Sequence, residues 1–331
     1  MNKLLITGGM GFIGSNFISD FIDKYKIINL DKLTYAGNPA NLKDVENHPN
    51  YEFIKGDICN PKIVESCIEK GVDAIINFAA ETHVDRSIMY AGDFINTDMY
   101  GTFVLLEAAR KYDHIEKFIQ ISTDEVYGEI EEGKFKETDA INPRNPYSAS
   151  KAGADRLASA YNNTYGLHTV IVRPSNNYGP FQYPEKLIPL FTTNAIEGKE
   201  LPIYGDGKQI RDWLYVKDNC KAIELLLKMG KPGEAYNVGG ENEKTNIEIT
   251  KKILEITGKS EKLITFVEDR PGHDKRYSLD NSKIYKLGWE PRHNFEKAMG
   301  KTIRWYIENE KWWSPIKSGE FKEYYAKKYG D

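Results

Sequence analysis

The feature that most constrains the fold of this 331-residue chain is a glycine-rich turn near the N-terminus. Gly8, Gly9, Gly11 and Gly14 follow an apolar run at residues 4–7 and precede a helical pattern. Glycine permits a tight turn in which backbone N–H groups at a helix N-terminus approach a pyrophosphate. The spacing therefore predicts the phosphate-binding turn of a dinucleotide-binding βαβ unit, with a purely structural turn as the alternative.

The first half of the chain alternates short apolar runs with helical patterns. The runs that predict buried parallel strands lie at 4–7, 27–30, 51–54, 74–78, 118–121 and 169–172. The helical patterns lie between them, at 12–23, 61–70, 94–111 and 146–165. This alternation predicts an α/β fold with a Rossmann-like doubly wound parallel sheet.

Prolines interrupt this pattern beyond residue 177. We therefore predict two domains, a nucleotide-binding Rossmann domain at 1–176 and a smaller C-terminal substrate-binding lobe at 177–331. A short apolar run that ends in the glycine turn at 237–240 indicates that the chain returns to the first domain near 234–240.

Two aspartates predict how a dinucleotide is held. Asp31 ends the second apolar run, about 20 residues after the glycine turn, where an acid accepts from the adenosine ribose hydroxyls. A carboxylate there repels a 2′-phosphate, so the sequence favours NAD over NADP as the cofactor. Asp57 ends the third run; it either hydrogen-bonds adenine or caps the helix that starts near Pro61.

Tyr147 and Lys151 are the predicted hydride-transfer residues. They lie four positions apart on a helix that Pro146 can begin, so they share one face. A tyrosinate takes the proton from a hydroxyl while hydride leaves the carbon, and an ammonium nearby lowers the tyrosine pKa. Thr123, at the end of the fifth apolar run, is suited to bonding the same substrate oxygen.

Asp124 and Glu125 directly follow Thr123 and add an acid and a base that a simple dehydrogenase does not need. One of them can protonate a leaving hydroxyl, and the other can remove a proton made acidic by a neighbouring ketone. This division requires unlike environments that separate their pKa values. A solvated acidic pair at the start of a loop is the alternative reading.

Composition excludes several other classes of protein. The formal net charge of −4 leaves no broad basic field for nucleic acid. Cys59, Cys67 and Cys220 have no metal-ligand spacing, so we predict no metal site and reduced thiols. We identify no signal peptide and no run of about 18 apolar residues, so no membrane contact and a cytoplasmic location are expected.

With these residues the chain resembles the extended short-chain dehydrogenase/reductase superfamily and, within it, the dTDP-glucose 4,6-dehydratases. The resemblance covers nearly the whole chain. Its most specific segments are TGGMGFIGSNF, LDKLTYAGN, FAAETHVDRS, STDEVYG, NPYSASKA, RPSNNYGP, PEKLIPL, LPIYGDGKQIRDWLYV, NVGGENEKTN and DRPGHDKRY.

The resemblance implies a role for each catalytic residue. Tyr147 would be the base for oxidation at C4 of the sugar, assisted by Lys151 and Thr123. Glu125 would remove the C5 proton, Asp124 would protonate the departing C6 hydroxyl, and hydride would return to C6. The product would be dTDP-4-keto-6-deoxyglucose, an intermediate of deoxysugar biosynthesis, with NAD regenerated.

The resemblance also implies the binding residues. Those expected at the cofactor are Gly8, Gly11, Phe12, Ile13, Gly14, Asp31, Lys32, Thr34, Asp57, Ile58, Ala79, Ala80, Thr82, Tyr147 and Lys151. Those expected at the nucleotide sugar are His83, Ser87, Asn176, Lys186, Leu187, Pro202, Tyr204, Arg211, Asn246, Arg270 and His273.

Several alternatives remain open at this stage. A UDP-glucose 4,6-dehydratase would share the catalytic residues, because thymine differs from uracil by one methyl group, worth only about 1–3 kcal/mol. An NAD-dependent nucleotide-sugar 4-epimerase is a further alternative, against which Asp124 and Glu125 argue. Arg86 is either an ion-pair partner of Asp85 or a substrate ligand. Asn219 stands where many related proteins have His, which would alter a sugar contact.

The resemblance further implies a homodimer. In the related proteins the helices that correspond to 94–111 and 146–165 form a four-helix interface. The alternative is that their apolar side chains belong to the intramolecular core. The side chains in question are Tyr100, Phe103, Leu106, Leu157 and Tyr161.

Overall fold

The computed structural model describes residues 1–269, 272–318 and 325. The strands of this part of the chain are β1 (Lys3–Thr7), β2 (Lys26–Asp31), β3 (Tyr51–Lys55), β4 (Ala74–Asn77), β5 (Lys117–Ile121), β6 (Thr169–Pro174), β7 (Asn176–Tyr178), β8 (Leu201–Tyr204), β9 (Ile210–Tyr215), β10 (Ala235–Val238), β11 (Glu243–Thr245) and β12 (Ile264–Val267).

The α-helices of the described residues are α1 (Phe12–Phe21), α2 (Pro61–Ile68), α3 (Val84–Met89), α4 (Ala91–Phe94), α5 (Thr102–Lys111), α6 (Pro146–Tyr165), α7 (Leu187–Glu197), α8 (Val216–Met229), α9 (Asn246–Thr257), α10 (Ser282–Tyr285), α11 (Phe295–Glu308) and α12 (Glu310–Trp313). A π-helical segment, Ile95–Gly101, joins α4 to α5. Short 3-10 helices form at Pro39–Leu42, Asp124–Tyr127 and Glu261–Leu263.

Seven parallel strands form the central sheet in the order β10-β6-β5-β4-β1-β2-β3. Successive side chains of β1 pack on opposite faces: Leu4 and Ile6 belong to one buried cluster and Leu5 to the other. Helices cover both faces of the inner strands, which explains why those strands read as continuous apolar runs. The prediction that 51–54 is buried is wrong, because β3 lies at the edge of the sheet and is partly or fully exposed along its length. The predicted fold class is confirmed.

The order of strands reverses between β1 and β4, which are neighbours in the sheet but not in sequence. In open α/β sheets, ligands bind beyond the carboxyl ends of the strands at such a reversal. The glycine-rich turn follows β1, and residues 78–82 follow β4, so both segments border the same crevice.

Helix α6 owes its position to local signals at both ends. Asn145 accepts from the backbone of Ser148, Ser148 bonds back to Asn145, and Pro146 occupies the first turn. Gly166 ends the helix in the left-handed conformation at φ 71°. These signals fix the helix that carries Tyr147 and Lys151 beside β5.

A smaller set of elements lies next to the central sheet. Strand β9 pairs with β7 in parallel and with β11 in antiparallel orientation, while β8 and β12 form a parallel pair. Helices α7, α9 and α11 contact one another. Strand β10, from the same half of the chain, returns to the central sheet beside β6.

The structure can be compared with the predictions for the helix at 94–111 and for the apolar side chains of the two long helices. The predicted helix 94–111 begins as the π-helical segment Ile95–Gly101 and becomes α-helical only at Thr102. Leu106 and Tyr161 are buried in the intramolecular core, whereas Tyr100 and Phe103 are exposed. No helix among the described residues is long and apolar enough to cross a membrane.

Candidate active site

A deep cavity opens at the carboxyl ends of β1 to β6. The glycine-rich turn, the ends of β2 and β3, residues 78–82 and the segment after β5 form its walls. Every residue that the sequence predicted at the cofactor is among those that line it. These are Gly8, Gly11, Phe12, Ile13, Gly14, Asp31, Lys32, Thr34, Asp57, Ile58, Ala79, Ala80, Thr82, Tyr147 and Lys151.

Glycine is required in the turn because the backbone comes close to itself there. Gly8 adopts φ +69°, and a Cβ atom on it would lie 2.6 Å from the backbone of Ala79. A Cβ atom on Gly14 would lie 2.6 Å from the carbonyl oxygen of Gly8. The Met10 side chain is buried in the core, away from the cavity. The open backbone of this turn is a cradle suited to a pyrophosphate.

Asp31 closes the far end of the cavity. Its carboxylate accepts from the backbone N–H of Met10 at 2.9 Å and of Leu33 at 2.8 Å. Burial raises the pKa of Asp31, and the two backbone hydrogen bonds oppose that rise. The carboxylate lines the cavity with lone pairs still able to accept from ribose hydroxyls.

Asp57 lies at the same end of the cavity. It pairs with Lys32 at 2.7 Å and accepts from the backbone N–H of Cys59 at 2.9 Å. The cap of α2 is Asn60, whose side chain accepts from Lys62 and Ile63. The alternative that Asp57 caps this helix is therefore wrong, because the chain turns once more before the helix begins.

Tyr147, Lys151 and Thr123 converge at the opposite end of the cavity. Lys151 donates to the carbonyl oxygen of Ile121 at 2.7 Å, which fixes its ammonium group at the end of β5. Burial lowers the pKa of Lys151, while the nearby carboxylates of Asp98 and Asp155 act in the opposite direction.

The pKa of Tyr147 does not follow the simple expectation from its neighbour Lys151. Burial raises the pKa of Tyr147 well above its usual value, and the charges of Glu125 and Asp98 add to the rise. A hydrogen bond with Thr123 acts in the opposite direction. In the protein alone, loss of hydration therefore outweighs the lowering expected from Lys151.

Asp124 and Glu125 are not a solvated acidic pair. Asp124 is 2% exposed and accepts from the Thr123 hydroxyl at 3.1 Å. Burial and the neighbouring charge of Glu125 raise the pKa of Asp124 well above its usual range. Among the described residues, nothing hydrogen-bonds to the buried Oδ2 of Asp124 or Oε2 of Glu125. Both carboxyl groups therefore keep one oxygen available for a ligand.

A second cavity continues from the first toward the smaller lobe. Six residues line both cavities: Glu125, Asn176, Asn177, Gln182, Glu185 and Lys186. Glu125 is the catalytic candidate at this junction. A ligand that spans the two cavities would therefore place one part against Glu125 and the remainder in the lobe.

The second cavity brings together most of the residues predicted at the substrate. Its lining includes His83, Asn176, Lys186, Leu187, Pro202, Tyr204, Arg211, Asn246 and His273. Ser87 is an exception: it is fully buried outside both linings, and its hydroxyl donates to the carbonyl of Val84 at 2.6 Å. The predicted contact of Ser87 is thus replaced by a bond within α3. Arg270 lies outside the described residues.

Arg211 is held rigidly in the second cavity. Its guanidinium donates to the carbonyls of Ile210 at 2.7 Å and Asp274 at 2.9 Å. Its Cζ atom lies 4.3 Å from the centre of the Tyr277 ring. A guanidinium that is held by two backbone carbonyls and an aromatic face is well suited to bind phosphate oxygens.

Sequence reasoning missed several lining residues. Glu81, whose pKa is raised to about 7 mainly by burial, lines the first cavity. Asn177 and Glu185 line both cavities, and Trp213 lines the second. Glu81, Asn177 and Glu185 lie inside motifs that the sequence does display, but nothing local in those motifs shows which side chains point inward.

Asn219 and Arg86 lie outside both cavities and contact residues that line them. Asn219 is fully buried and donates to Oδ1 of Asn177 at 2.9 Å, so it reaches the site through that residue. Arg86 pairs with Glu185 at 3.2 Å. Neither Asn219 nor Arg86 lines a cavity.

The fold and this site define the class of protein. A glycine turn that opens a parallel sheet, with Tyr147 and Lys151 on the helix after β5, is the arrangement of an extended short-chain dehydrogenase/reductase. The family model for GDP-mannose 4,6 dehydratase matches residues 5–302. The chain belongs to this family.

Curated relatives match over nearly the whole chain. A dTDP-glucose 4,6-dehydratase from Streptomyces niveus is 48% identical over 324 residues, which cover 96% of each chain. The low-salt glycan biosynthesis protein Agl12 from Haloferax volcanii is 51% identical over 306 residues, covering 92% of this chain and 98% of the relative.

A solved structure confirms the similarity in three dimensions. DesIV, a dTDP-glucose 4,6-dehydratase from Streptomyces venezuelae crystallised with NAD bound, superimposes with a TM-score of 0.93. It is 46% identical, and the match covers 95% of this chain and 99% of that one. The resemblance to these enzymes that the motifs predicted is confirmed.

Proposed function

We propose that this protein is an NAD-dependent dTDP-glucose 4,6-dehydratase, a hydro-lyase. The observation that carries the proposal is the position of Asp124 and Glu125 beside Tyr147. Each carboxyl group has an available buried oxygen, and Glu125 lies where the two cavities meet. An oxidoreductase alone requires Tyr147 and Lys151, whereas elimination of water also requires a separate acid and base.

NAD fits the first cavity. The glycine cradle takes a pyrophosphate, and Asp31 takes the adenosine ribose and disfavours a 2′-phosphate. We propose that the lining residues predicted for the cofactor, from Gly8 to Lys151, hold it. The NAD in solved relatives such as DesIV supports this assignment. When bound, NAD supplies the chemistry of accepting and returning a hydride.

The protein side chains divide the proton transfers among them. Tyr147 removes the proton from the C4 hydroxyl, with Thr123 bonded to the same oxygen and Lys151 providing positive charge. The resulting ketone acidifies the C5 proton, which Glu125 removes. Asp124, whose pKa is raised by burial and by the charge of Glu125, delivers a proton to the C6 hydroxyl as it leaves. The product is dTDP-4-keto-6-deoxyglucose once hydride returns to C6.

The second cavity is the proposed nucleotide-sugar site, formed largely by residues 177–331. Arg211, with Asn176 and Asn246, is placed to bind the diphosphate. Leu187, Pro202 and Tyr204 offer apolar surface for a pyrimidine base, and Lys186, His83 and His273 complete the lining. We propose Arg270 as a further phosphate ligand on the resemblance alone.

The test compares two donors on the purified protein without added NAD. Conversion of dTDP-glucose into a 4-keto product that has lost one water, faster than conversion of UDP-glucose, is the expected result. Equal or faster turnover of UDP-glucose would retain the mechanism and overturn the donor. Interconversion without a change of mass would indicate an epimerase and remove Asp124 and Glu125 from their roles.

We also propose that the protein is a homodimer. The region from α3 to α5 exposes a set of large apolar side chains that a monomer would leave in water. They are Ile88, Met89, Tyr90, Ile95, Tyr100 and Phe103. Sedimentation of the intact protein is expected to give twice the chain mass, and Tyr100→Glu with Phe103→Glu is expected to give monomers. A monomeric wild-type protein would refute the interface.

The cysteines support a cytoplasmic location. Cys59, Cys67 and Cys220 are free thiols, and burial raises the pKa of each. Free thiols are the usual state of cysteines in a reducing compartment, whereas oxidising compartments favour disulfides. Recovery of the native protein in the cytoplasmic fraction of its source cells would support this location, and recovery outside the cytoplasm would overturn it.

A further inference from the structure

Besides the glycine turn, three separate segments of the chain help to form the walls of the first cavity, which is the proposed cofactor cavity. The loop after β2 contributes Thr34, Ala36 and Gly37, and the segment after β4 contributes residues 79–82. The segment before α7 contributes residues 182–183 and 185–186. These walls are far apart in sequence, so contacts between them help to hold the cavity in shape.

Three residues from these parts of the chain contact one another: Tyr35 from the loop after β2, Arg86 from α3, which follows residues 79–82, and Glu185 from the segment before α7. The Tyr35 hydroxyl donates to Oε1 of Glu185 at 2.9 Å, and Nε of Arg86 donates to Oε2 of Glu185 at 3.2 Å. The Arg86 guanidinium lies 3.7 Å from the centre of the Tyr35 ring. Each residue therefore contacts both of the others.

The group is well protected from water. The Glu185 side chain is 1% exposed and that of Arg86 is 18% exposed. Burial raises the pKa of Tyr35 well above its usual value, so its hydroxyl stays protonated and donates to Glu185. Buried charge-assisted hydrogen bonds of this kind are stronger than those at a surface.

Further contacts reinforce the same junction. Lys186 donates to the carbonyl of Thr82, and the His83 ring lies 3.3 Å from the carbonyl of Glu185. The Tyr183 ring packs edge-on against Tyr35, with centroids 5.2 Å apart. All of these contacts join walls of the cofactor cavity.

We propose that Tyr35, Arg86 and Glu185 form a latch that holds the walls of the cofactor cavity together and retains NAD throughout the catalytic cycle. This proposal rests on the proposed function, because in that reaction the same cofactor molecule must stay bound between the two hydride transfers. Oxidation at C4 transfers a hydride to NAD, and the same hydride must return to C6 after water has left. Release of NADH in between would leave a 4-keto sugar unreduced at C6 and an enzyme without oxidant.

The test uses Tyr35→Phe, which removes one hydroxyl and keeps the ring beneath Arg86. We expect the purified variant to release bound NAD at least tenfold faster than wild type, measured without any sugar by transfer to an NAD-trapping dehydrogenase. During turnover its progress curve is expected to slow as NADH appears in solution, and added NAD is expected to restore the rate.

Tyr112→Phe is the matched control. The Tyr112 hydroxyl donates to Glu69 at 3.1 Å, but this pair lies outside both cavities. Arg86→Lys is the second latch variant, because it keeps the charge but loses the flat stacking on Tyr35. Release of NAD from both folded Tyr35→Phe and folded Arg86→Lys at the rate of Tyr112→Phe would overturn the latch.

Release of NAD and the identity of the sugar are independent readouts. If wild type fails to dehydrate dTDP-glucose, the proposed function fails while the NAD-release measurement still decides whether the latch exists. If wild type performs the reaction and both latch variants keep NAD normally, only the latch is wrong.

Discussion

Asp124 and Glu125 are consecutive in sequence yet face different surroundings. Asp124 is 2% exposed and lines only the cofactor cavity, whereas Glu125 is partly exposed and lines both cavities. Both residues lie in the first turn of the 3-10 helix that begins at Asp124. Their difference in exposure gives a buried acid and a partly exposed carboxyl group at the junction of the cavities, the unlike environments that a division between acid and base requires.

Asp124→Asn is expected to stop elimination while sparing oxidation at C4. Loss of a general acid lowers a rate by a factor of about 10²–10⁴. Rapid mixing with dTDP-glucose should therefore show enzyme-bound NADH forming at a near-normal rate, with little loss of water. The exposed Asp113→Asn is the control, and normal dehydration by Asp124→Asn would contradict the role of Asp124.

The raised pKa of Asp124 also predicts a dependence on pH. The acid must carry its proton, so the elimination rate is expected to fall as pH rises through the raised pKa of Asp124. The measurement is the rate of water loss across the whole pH range in which the protein stays folded, in wild type and Asp124→Asn. If the fall in elimination rate with rising pH is unchanged in Asp124→Asn, a different ionisable group causes it.

Glu125→Gln is expected to prevent removal of the C5 proton. The amide cannot act as a base, so elimination should fall by a factor of about 10²–10⁴. In heavy water, wild type should incorporate deuterium at C5 of the product, while the variant should form bound NADH and leave C5 unlabelled. Rapid labelling by the variant would show that another group is the base.

Gly14→Ala is expected to weaken NAD binding. The added Cβ would lie 2.6 Å from the carbonyl oxygen of Gly8, so the phosphate-binding turn would have to shift. The amount of NAD that stays bound per chain after gel filtration should be much lower in Gly14→Ala than in wild type. Gly300→Ala in α11 is the control, because its nearest neighbour is the flexible Arg304 guanidinium at 3.3 Å. Equal NAD content in the two variants would argue against the cradle.

Arg173→Ala is expected to destabilise the fold beneath the active site. Arg173 donates to Asp155 at 2.8 and 3.0 Å, and both side chains are buried. Removing one partner of a buried pair costs about 3–5 kcal/mol in the free energy of unfolding. Urea denaturation should show this loss, and the exposed Arg110→Ala should change stability little. Equal urea midpoints for wild type and Arg173→Ala would contradict the contribution assigned to the ion pair.

The same ion pair predicts the direction of acid denaturation. Burial raises the pKa of Asp155, but Arg173 and, to a smaller extent, Arg156 outweigh it and hold that pKa below its ordinary value of 3.8 in the folded protein. The pair therefore contributes full stability above that ordinary value, and the contribution is lost as pH falls through the lowered folded pKa. Because Arg156 also pairs with Asp155, Arg173→Ala should reduce, rather than abolish, this acid-dependent part of the unfolding free energy.

The sequence by itself determined the features that depend on local backbone chemistry. The glycine turn, the alternation of strands and helices, and the four-residue spacing of Tyr147 and Lys151 each have a short-range physical cause. They predicted the parallel sheet, and the motifs around them identified the family.

Only the tertiary structure decided which distant side chains meet. Lys186 reaches the carbonyl of Thr82 across 104 positions of sequence, and Tyr35 reaches Glu185 across 150. Such contacts depend on how the lobe packs against the sheet, which no local periodicity encodes. The unlike environments of Asp124 and Glu125 have the same origin, because burial is a property of the packed fold and not of adjacent residues in the sequence.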